Sequence, residues 1–105
     1  ESALAIIERD QGGGADDTLL KRVYAVAISG VSPVAGGEMP VVSKTLMADL
    51  VPMLNAFNGV TVEKVEGITV TADGHLFIVN DNDGAQDSTG ETLLLNLGPV
   101  SAMIN

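Results

Sequence analysis

Short apolar runs alternate with polar, glycine-rich breaks along this chain, and helical spacing is rarely sustained. Ala3-Leu4-Ala5-Ile6-Ile7 is a β-branched apolar run that gives way to Glu8-Arg9-Asp10-Gln11 and then Gly12-Gly13-Gly14, the pattern of a buried strand ending in a polar loop. Lys21 to Ser29 is apolar on both faces after its basic start, and Gly30, Pro33, Gly36 and Gly37 supply the turn chemistry that ends it. Pro40 to Leu46 predicts a third strand. Leu50, Leu54 and Phe57 then fall at helical spacing, with Asp49 placed to cap, Pro52 tolerable in the first turn and Gly59 as a stop. At most one short helix is therefore expected, near 50–57.

Val60 to Val65 keeps no clear period. Gly67 to Ala72 sets Ile68, Val70 and Ala72 against Thr69 and Thr71, which predicts a half-buried strand. Asp73-Gly74 predicts a two-residue hairpin, after which Leu76 to Val79 pairs back as a strand apolar on both faces. Thr92 to Leu97 gives a last strand, closed by Gly98-Pro99. The expected fold class is all-β with antiparallel strands.

An internal repeat joins the two halves. Leu4 to Gly12 aligns without a gap on Leu76 to Gly84, and each copy is followed, after a loop containing Gly and Asp, by another strand (Arg22 to Ile28; Thr92 to Leu97). Two copies of strand, polar loop, strand point to radially repeated β-units.

Length and charge narrow the function. The chain of 105 residues makes one small domain, which buries only roughly two-thirds of its unfolded surface. Its 46% apolar residues include just Phe57, Phe77 and Tyr24 as aromatics, so aliphatic side chains must form the core. A net charge of −9 with five Lys and Arg lacks the basic cluster that a phosphate backbone demands, which argues against nucleic acid and anionic membranes as partners. No apolar run approaches the roughly 18 to 20 residues of a membrane span. With no Cys, thiolate metal sites are excluded, and any metal here is expected to be oxygen-bound. The start at Glu1, without a signal peptide, leads us to expect a trimmed or cleaved product.

The chemistry concentrates between Glu66 and Glu91, where Glu66, Asp73, Asp81, Asp83, Asp87 and Glu91 occur with no Lys or Arg. Asn80, Asp81, Asn82 and Asp83 put four side-chain oxygen donors into four residues, the donor type that Ca²⁺ takes six to eight of. The EF-hand spacing is not met, because Gly84 falls too early and no glutamate follows at its ligand position. The alternative is a hydrated Asx turn. A hairpin with its tip at Asp73-Gly74 brings Glu66 to the same end as this loop; the alternative there is a rim glutamate paired with Lys64. Glu8-Arg9-Asp10 occupies in the first repeat the place of Asn80-Asp81-Asn82 in the second, as candidate ligands or as a local ion pair. His75 falls at the hairpin tip, away from the acids, and reads as surface. No Gly-x-Ser-x-Gly elbow exists, and Gly12 to Gly14 lacks the Lys of a phosphate loop.

The segments IIERDQG, KRVYAV, KVEGITVTADGHLFIVNDNDG and GETLLLNLG resemble the C-terminal part of the phytase-like β-propeller domain, a bacterial family described as having esterase-like activity of phytase. The similarity runs from about Leu4 to Leu97, and its most specific piece is the series Glu66-Gly67, Asp73-Gly74 and Asn80 to Asp83. A family domain is several times longer. The resemblance implies about two blades of a propeller: an incomplete blade at 3–46, a connector at 47–65, a second blade at 66–98 and a tail at 99–105. It also implies a calcium-dependent phosphoester or ester hydrolase. The ion, held by Glu66, Asn80, Asp81, Asn82 and Asp83 with Glu8 or Asp10, would polarise the phosphoryl oxygen and activate water, and Arg9 would meet an anionic phosphoester. The isolated chain would be inactive. Its implied partners are the remaining blades, or other copies joined through sheet edges, and its implied location is the periplasm or the exterior. The rival reading is a non-catalytic extracellular module that binds calcium for stability or self-assembles.

Overall fold

A computed structural model of the chain describes residues 3–10, 19–58, 64–81 and 92–103. Six strands form two three-stranded antiparallel sheets with one short helix between them, so the all-β expectation holds. The first sheet contains β1 (Ala3–Arg9), β2 (Lys21–Ala27) and β3 (Lys44–Asp49) in that order. Helix α1 (Leu50–Asn58) follows directly. The second sheet contains β4 (Val65–Val70), β5 (His75–Asn80) and β6 (Leu94–Pro99), and a 3-10 turn at Val100–Ala102 ends the described chain.

Period-two patterning decides which side of each sheet is buried. Ile7, Val23 and Ala25 of the first sheet face Ile68, Leu76, Ile78 and Leu95 of the second, and Leu50 and Leu54 of α1 complete the cluster. β1 lies beside β4 at this junction. Leu50, Leu54, Val23 and Leu76 are almost wholly removed from water, which makes them the main apolar contributors to a core of this size.

β3 lies later than the expected 40–46 strand. Pro40 to Ser43 is exposed and unpaired, and pairing begins at Lys44. The register shifts so that Val23 faces Ala48 while Tyr24 faces Leu46. Met47 is the extra residue of this bulge, and both Met47 and Ala48 turn inward. Asp49 then closes the junction, as its Oδ1 accepts the Val51 backbone N–H at 3.4 Å, and Pro52 sits early enough in α1 to cost no helical bond. Gly59 and the side chain of Phe57 lie outside the described residues.

The β4–β5 connection is a three-residue loop rather than the expected two-residue one. Thr71 N donates to His75 O at 2.9 Å, Gly74 N donates to Thr71 O at 2.8 Å, and Gly74 has φ +85°. A turn over Ala72 and Asp73 closed by a left-handed glycine is the three-residue hairpin form, and it needs Gly74 because a Cβ is strained there. Gly74 O also accepts Val100 N at 2.8 Å, tying the tip to the turn after β6.

Candidate functional site

Antiparallel pairing collects the polar strand ends of both sheets at one end of the molecule. Arg9 pairs with Lys21 and Arg22 with Asp49 in the first sheet; Val65 pairs with Asn80 in the second. Asp81 N donates to Lys64 O at 2.7 Å, which places Asp81 beside the start of β4. The expected proximity of Glu66 to Asn80 and Asp81 follows from this register.

Glu66 is itself a bulge residue, because the register passes from Val65↔Asn80 to Gly67↔Val79 with no partner for Glu66. A bulge re-aims its side chain. Here the carboxylate reaches the other sheet, where Oε1 accepts Arg9 Nη2 at 2.5 Å. Arg9, rather than Lys64, is therefore the partner of Glu66 among the described contacts. Arg9 Nη1 also donates to Asp10 O at 3.1 Å.

Asp10 binds on three sides. Oδ2 accepts Leu20 N at 2.8 Å, Oδ1 accepts Lys21 Nζ at 3.1 Å, and Asp10 N donates to Leu20 O at 2.8 Å. Lys21 Nζ lies 3.4 Å from Asp10 O as well. The Asp10 carbonyl thus receives both Arg9 and Lys21, and Glu66, Arg9, Lys21 and Asp10 form one connected chain of charged groups across the two sheets. Lys21 has no exposed surface. A buried ammonium is tolerated only when paired and hydrogen-bonded, which Asp10 provides. Nothing in the local sequence marks Lys21 as buried; the basic start of β2 reads as a solvated end until its position opposite Arg9 is known.

Glu8 lies on the other face of β1, where Lys44 Nζ approaches its Oε2 at 2.5 Å and sits 4.3 Å from the centre of the Tyr24 ring. This is a surface ion pair backed by a cation–π contact. Glu8 and Asp10 therefore pair with different lysines, Lys44 and Lys21.

Asn80 is buried, and its side-chain Oδ1 accepts Leu93 N at 2.5 Å while its backbone N donates to Leu93 O at 3.3 Å. Its amide oxygen is committed to holding the start of β6. Asp81 is exposed. Asn82 and Asp83, the other two members of the loop, lie outside the described residues, as do Gly12 to Gly14, Asp87 and Glu91. Among the described residues no three acidic or histidine side chains come together to hold a metal. His75 occupies the far end, hydrogen-bonded with Asn96 through Nδ1 at 3.1 Å from the amide nitrogen, which suits the surface role expected of it.

In chemical terms this end of the molecule presents the partly exposed Arg9 guanidinium with its Glu66 carboxylate partner and an exposed carboxylate at Asp81, while the Lys21 ammonium is buried against Asp10. A family model described as esterase-like activity of phytase matches residues 1–84 of the 105. The chain belongs to this phytase-like family. The match takes in β1 to β5 and the charge chain, and ends before β6, so the resemblance seen in GETLLLNLG lies beyond it. No curated protein matches the chain significantly. No solved structure does either, and the assignment rests on the family model.

Proposed function

We propose that the chain forms part of a phytase-like hydrolase domain acting on phosphoesters or esters, and that its contribution is the Arg9–Glu66 end of the two sheets. The observation that carries this is the Arg9–Glu66 contact between the two sheets, with Asp81 hydrogen-bonded to Lys64 at the start of β4, in a chain whose family match spans the same residues. A phosphate that displaced the Glu66 carboxylate from Arg9 would find a guanidinium already oriented by the Asp10 carbonyl. Released Glu66, with Asp81 and the donors at Asn82 and Asp83, would then be available to Ca²⁺.

The described residues alone do not make a calcium cradle, since Arg9 takes the place beside Glu66 and Lys21 and Lys44 engage Asp10 and Glu8. Further ligands would come from outside the described residues. A bound divalent ion would supply charge neutralisation of a phosphoryl oxygen and a more acidic water. Calcium dependence and high acidity suit a periplasmic or secreted setting.

The test is calorimetric titration of Ca²⁺ into the chain and into an Asp81→Ala/Asp83→Ala variant, together with hydrolysis of a nitrophenyl phosphate and a nitrophenyl ester. Binding that weakens at least tenfold in the variant, without turnover by the isolated chain, is expected. Equal binding in both proteins removes the 80–83 loop from the reading, and calcium-dependent turnover by the chain alone contradicts the expectation that the isolated chain is inactive. The second reading, a purely structural module, is favoured by the pairing of Glu8, Asp10 and Glu66 with cations, and it is the one left standing if no Ca²⁺ binds.

A further inference from the structure

Arg9 and Lys21 stand directly opposite each other in the β1–β2 pair, so both side chains leave the sheet on the face that carries Ile7 and Val23. That face forms the packed junction with the second sheet. Like charges opposite each other across a strand pair repel, and burial of an ammonium adds a desolvation cost. Lys21 nonetheless has no exposed surface, while the Arg9 side chain keeps 22% of its own. Apolar side chains in place of a buried ion pair are often neutral or stabilising, so stability alone gives no reason for an ammonium at this position.

What the ammonium adds is a hold on Asp10. Leu20 fixes Asp10 twice, through its backbone N–H on the carboxylate and its carbonyl on the Asp10 N–H. Lys21 Nζ then reaches both the carboxylate, at 3.1 Å, and the backbone carbonyl, at 3.4 Å. The same carbonyl accepts Arg9 Nη1 at 3.1 Å, while Arg9 Nη2 meets Glu66. Contacts on two different nitrogens fix the plane of the guanidinium. They differ in permanence: the Glu66 carboxylate is the contact that an incoming anion would replace, whereas the Asp10 carbonyl is backbone held from behind by a buried cation.

We infer that Lys21 is the positioning residue of this site: through the Asp10 carbonyl it keeps the Arg9 guanidinium aimed at the place that Glu66 fills, so that a phosphate group entering there meets an oriented fork of N–H donors. This role rests on the hydrolase reading for its ligand and on the contacts alone for its geometry. Lys21 touches no substrate. Its effect is to reduce the side-chain freedom that Arg9 would otherwise lose on binding, which is how preorganisation raises affinity.

The test is NMR of the ¹⁵N-labelled 105-residue chain, whose arginines are Arg9 and Arg22, so each Nε–Hε signal can be followed separately. Lys21→Met should speed rotation of the Arg9 guanidinium about Nε–Cζ by about three- to tenfold, the size of effect expected from the loss of one net hydrogen bond. It should weaken the response of the Arg9 signal to added inorganic phosphate by a similar factor. Arg22, bonded to Tyr24 on the opposite face, should be unchanged in rotation. Leu54→Ala, which loosens the core from α1, should leave Arg9 as in the wild type. Where Lys21→Met does not fold, the double variant Lys21→Met/Asp10→Asn carries the comparison, because it removes the pair without stranding a buried charge. Arg9 rotation that is unchanged in a folded Lys21 variant, or equally accelerated by Leu54→Ala, overturns the inference. Accelerated rotation in a chain whose wild type shows no phosphate response supports the hold of Lys21 on Arg9 and contradicts the hydrolase reading instead.

Discussion

Arg9 and Glu66, 57 positions apart in the chain, meet through a 2.5 Å ion pair that joins β1 of one sheet to the bulge of β4 in the other. The Lys21–Asp10 and Lys44–Glu8 pairs stay within the first sheet. The side chains of Arg9 and Glu66 are 22% and 43% exposed, so water screens much of their attraction. A double-mutant cycle with Arg9→Met and Glu66→Gln, read by urea unfolding, should give a coupling of about 0.5 kcal/mol that shrinks in 1 M NaCl. A coupling above roughly 2 kcal/mol would mean that the pair is far less hydrated than its exposure indicates.

The two ion pairs of the first sheet should differ in worth. Lys21 is fully buried, whereas Lys44 and Glu8 are both substantially exposed. Asp10→Ala removes the carboxylate that faces a buried ammonium and also exposes Leu20 N, for a cost of about 1–3 kcal/mol. Glu8→Ala should cost about 0–1 kcal/mol. Equal effects of the two substitutions in chemical denaturation would contradict the burial difference.

Gly67 is required by its neighbour rather than by its backbone angle. A Cβ built on Gly67 runs into Cγ1 of Val79 across the β4–β5 pair. Valine has little rotamer freedom with which to yield. Gly67→Ala should therefore destabilise by about 1–3 kcal/mol, and adding Val79→Ala should recover part of that loss. If the double variant is no more stable than the sum of the two single effects predicts, the clash is not the cause.

The hairpin tip carries a pH signature. The Thr71 hydroxyl donates to the Asp73 carboxylate, and with the nearby His75 charge and backbone amides it holds Asp73 below its ordinary value. The folded state binds this proton less readily than the unfolded one. The resulting stabilisation is therefore present above the unfolded pKa, near 3.9, and is lost as pH falls through the lower folded value. Thr71→Val should move Asp73 back up toward the usual aspartate range in a carboxyl NMR titration, and an unmoved Asp73 would assign the shift to the other groups.

The parts of the fold visible in the residues were those set by local chemistry. Asp49 before Leu50 and Leu54 announced α1, and Gly74 marked the β4–β5 reversal. The repeat of Leu4 to Gly12 on Leu76 to Gly84 corresponds to β1 and β5, each of which pairs with the strand that follows it. Errors of detail arose where a bulge intervened: Met47 shifted β3 toward the helix, and the extra left-handed residue made the hairpin loop three residues long rather than two. Bulges depend on what packs across the sheet, which strand propensity does not encode. The candidate site was legible as a place but not as a set of partners. The hairpin put Glu66 beside Asn80 and Asp81, but the contact with Arg9 depends on how two separate sheets stack.

The most direct test of the site is competition between Arg9 and Ca²⁺ for the Glu66 carboxylate, measured by calcium titration of the wild type, Arg9→Gln and Glu66→Gln. If Glu66 is a ligand that Arg9 holds when no ion is bound, freeing it should tighten Ca²⁺ binding by about twofold, the equivalent of the roughly 0.5 kcal/mol coupling of this partly exposed pair. Glu66→Gln should weaken binding at least tenfold. Affinities that are the same in all three proteins, or binding that is absent from all three, would contradict the calcium reading and leave Arg9–Glu66 as a clasp between sheets.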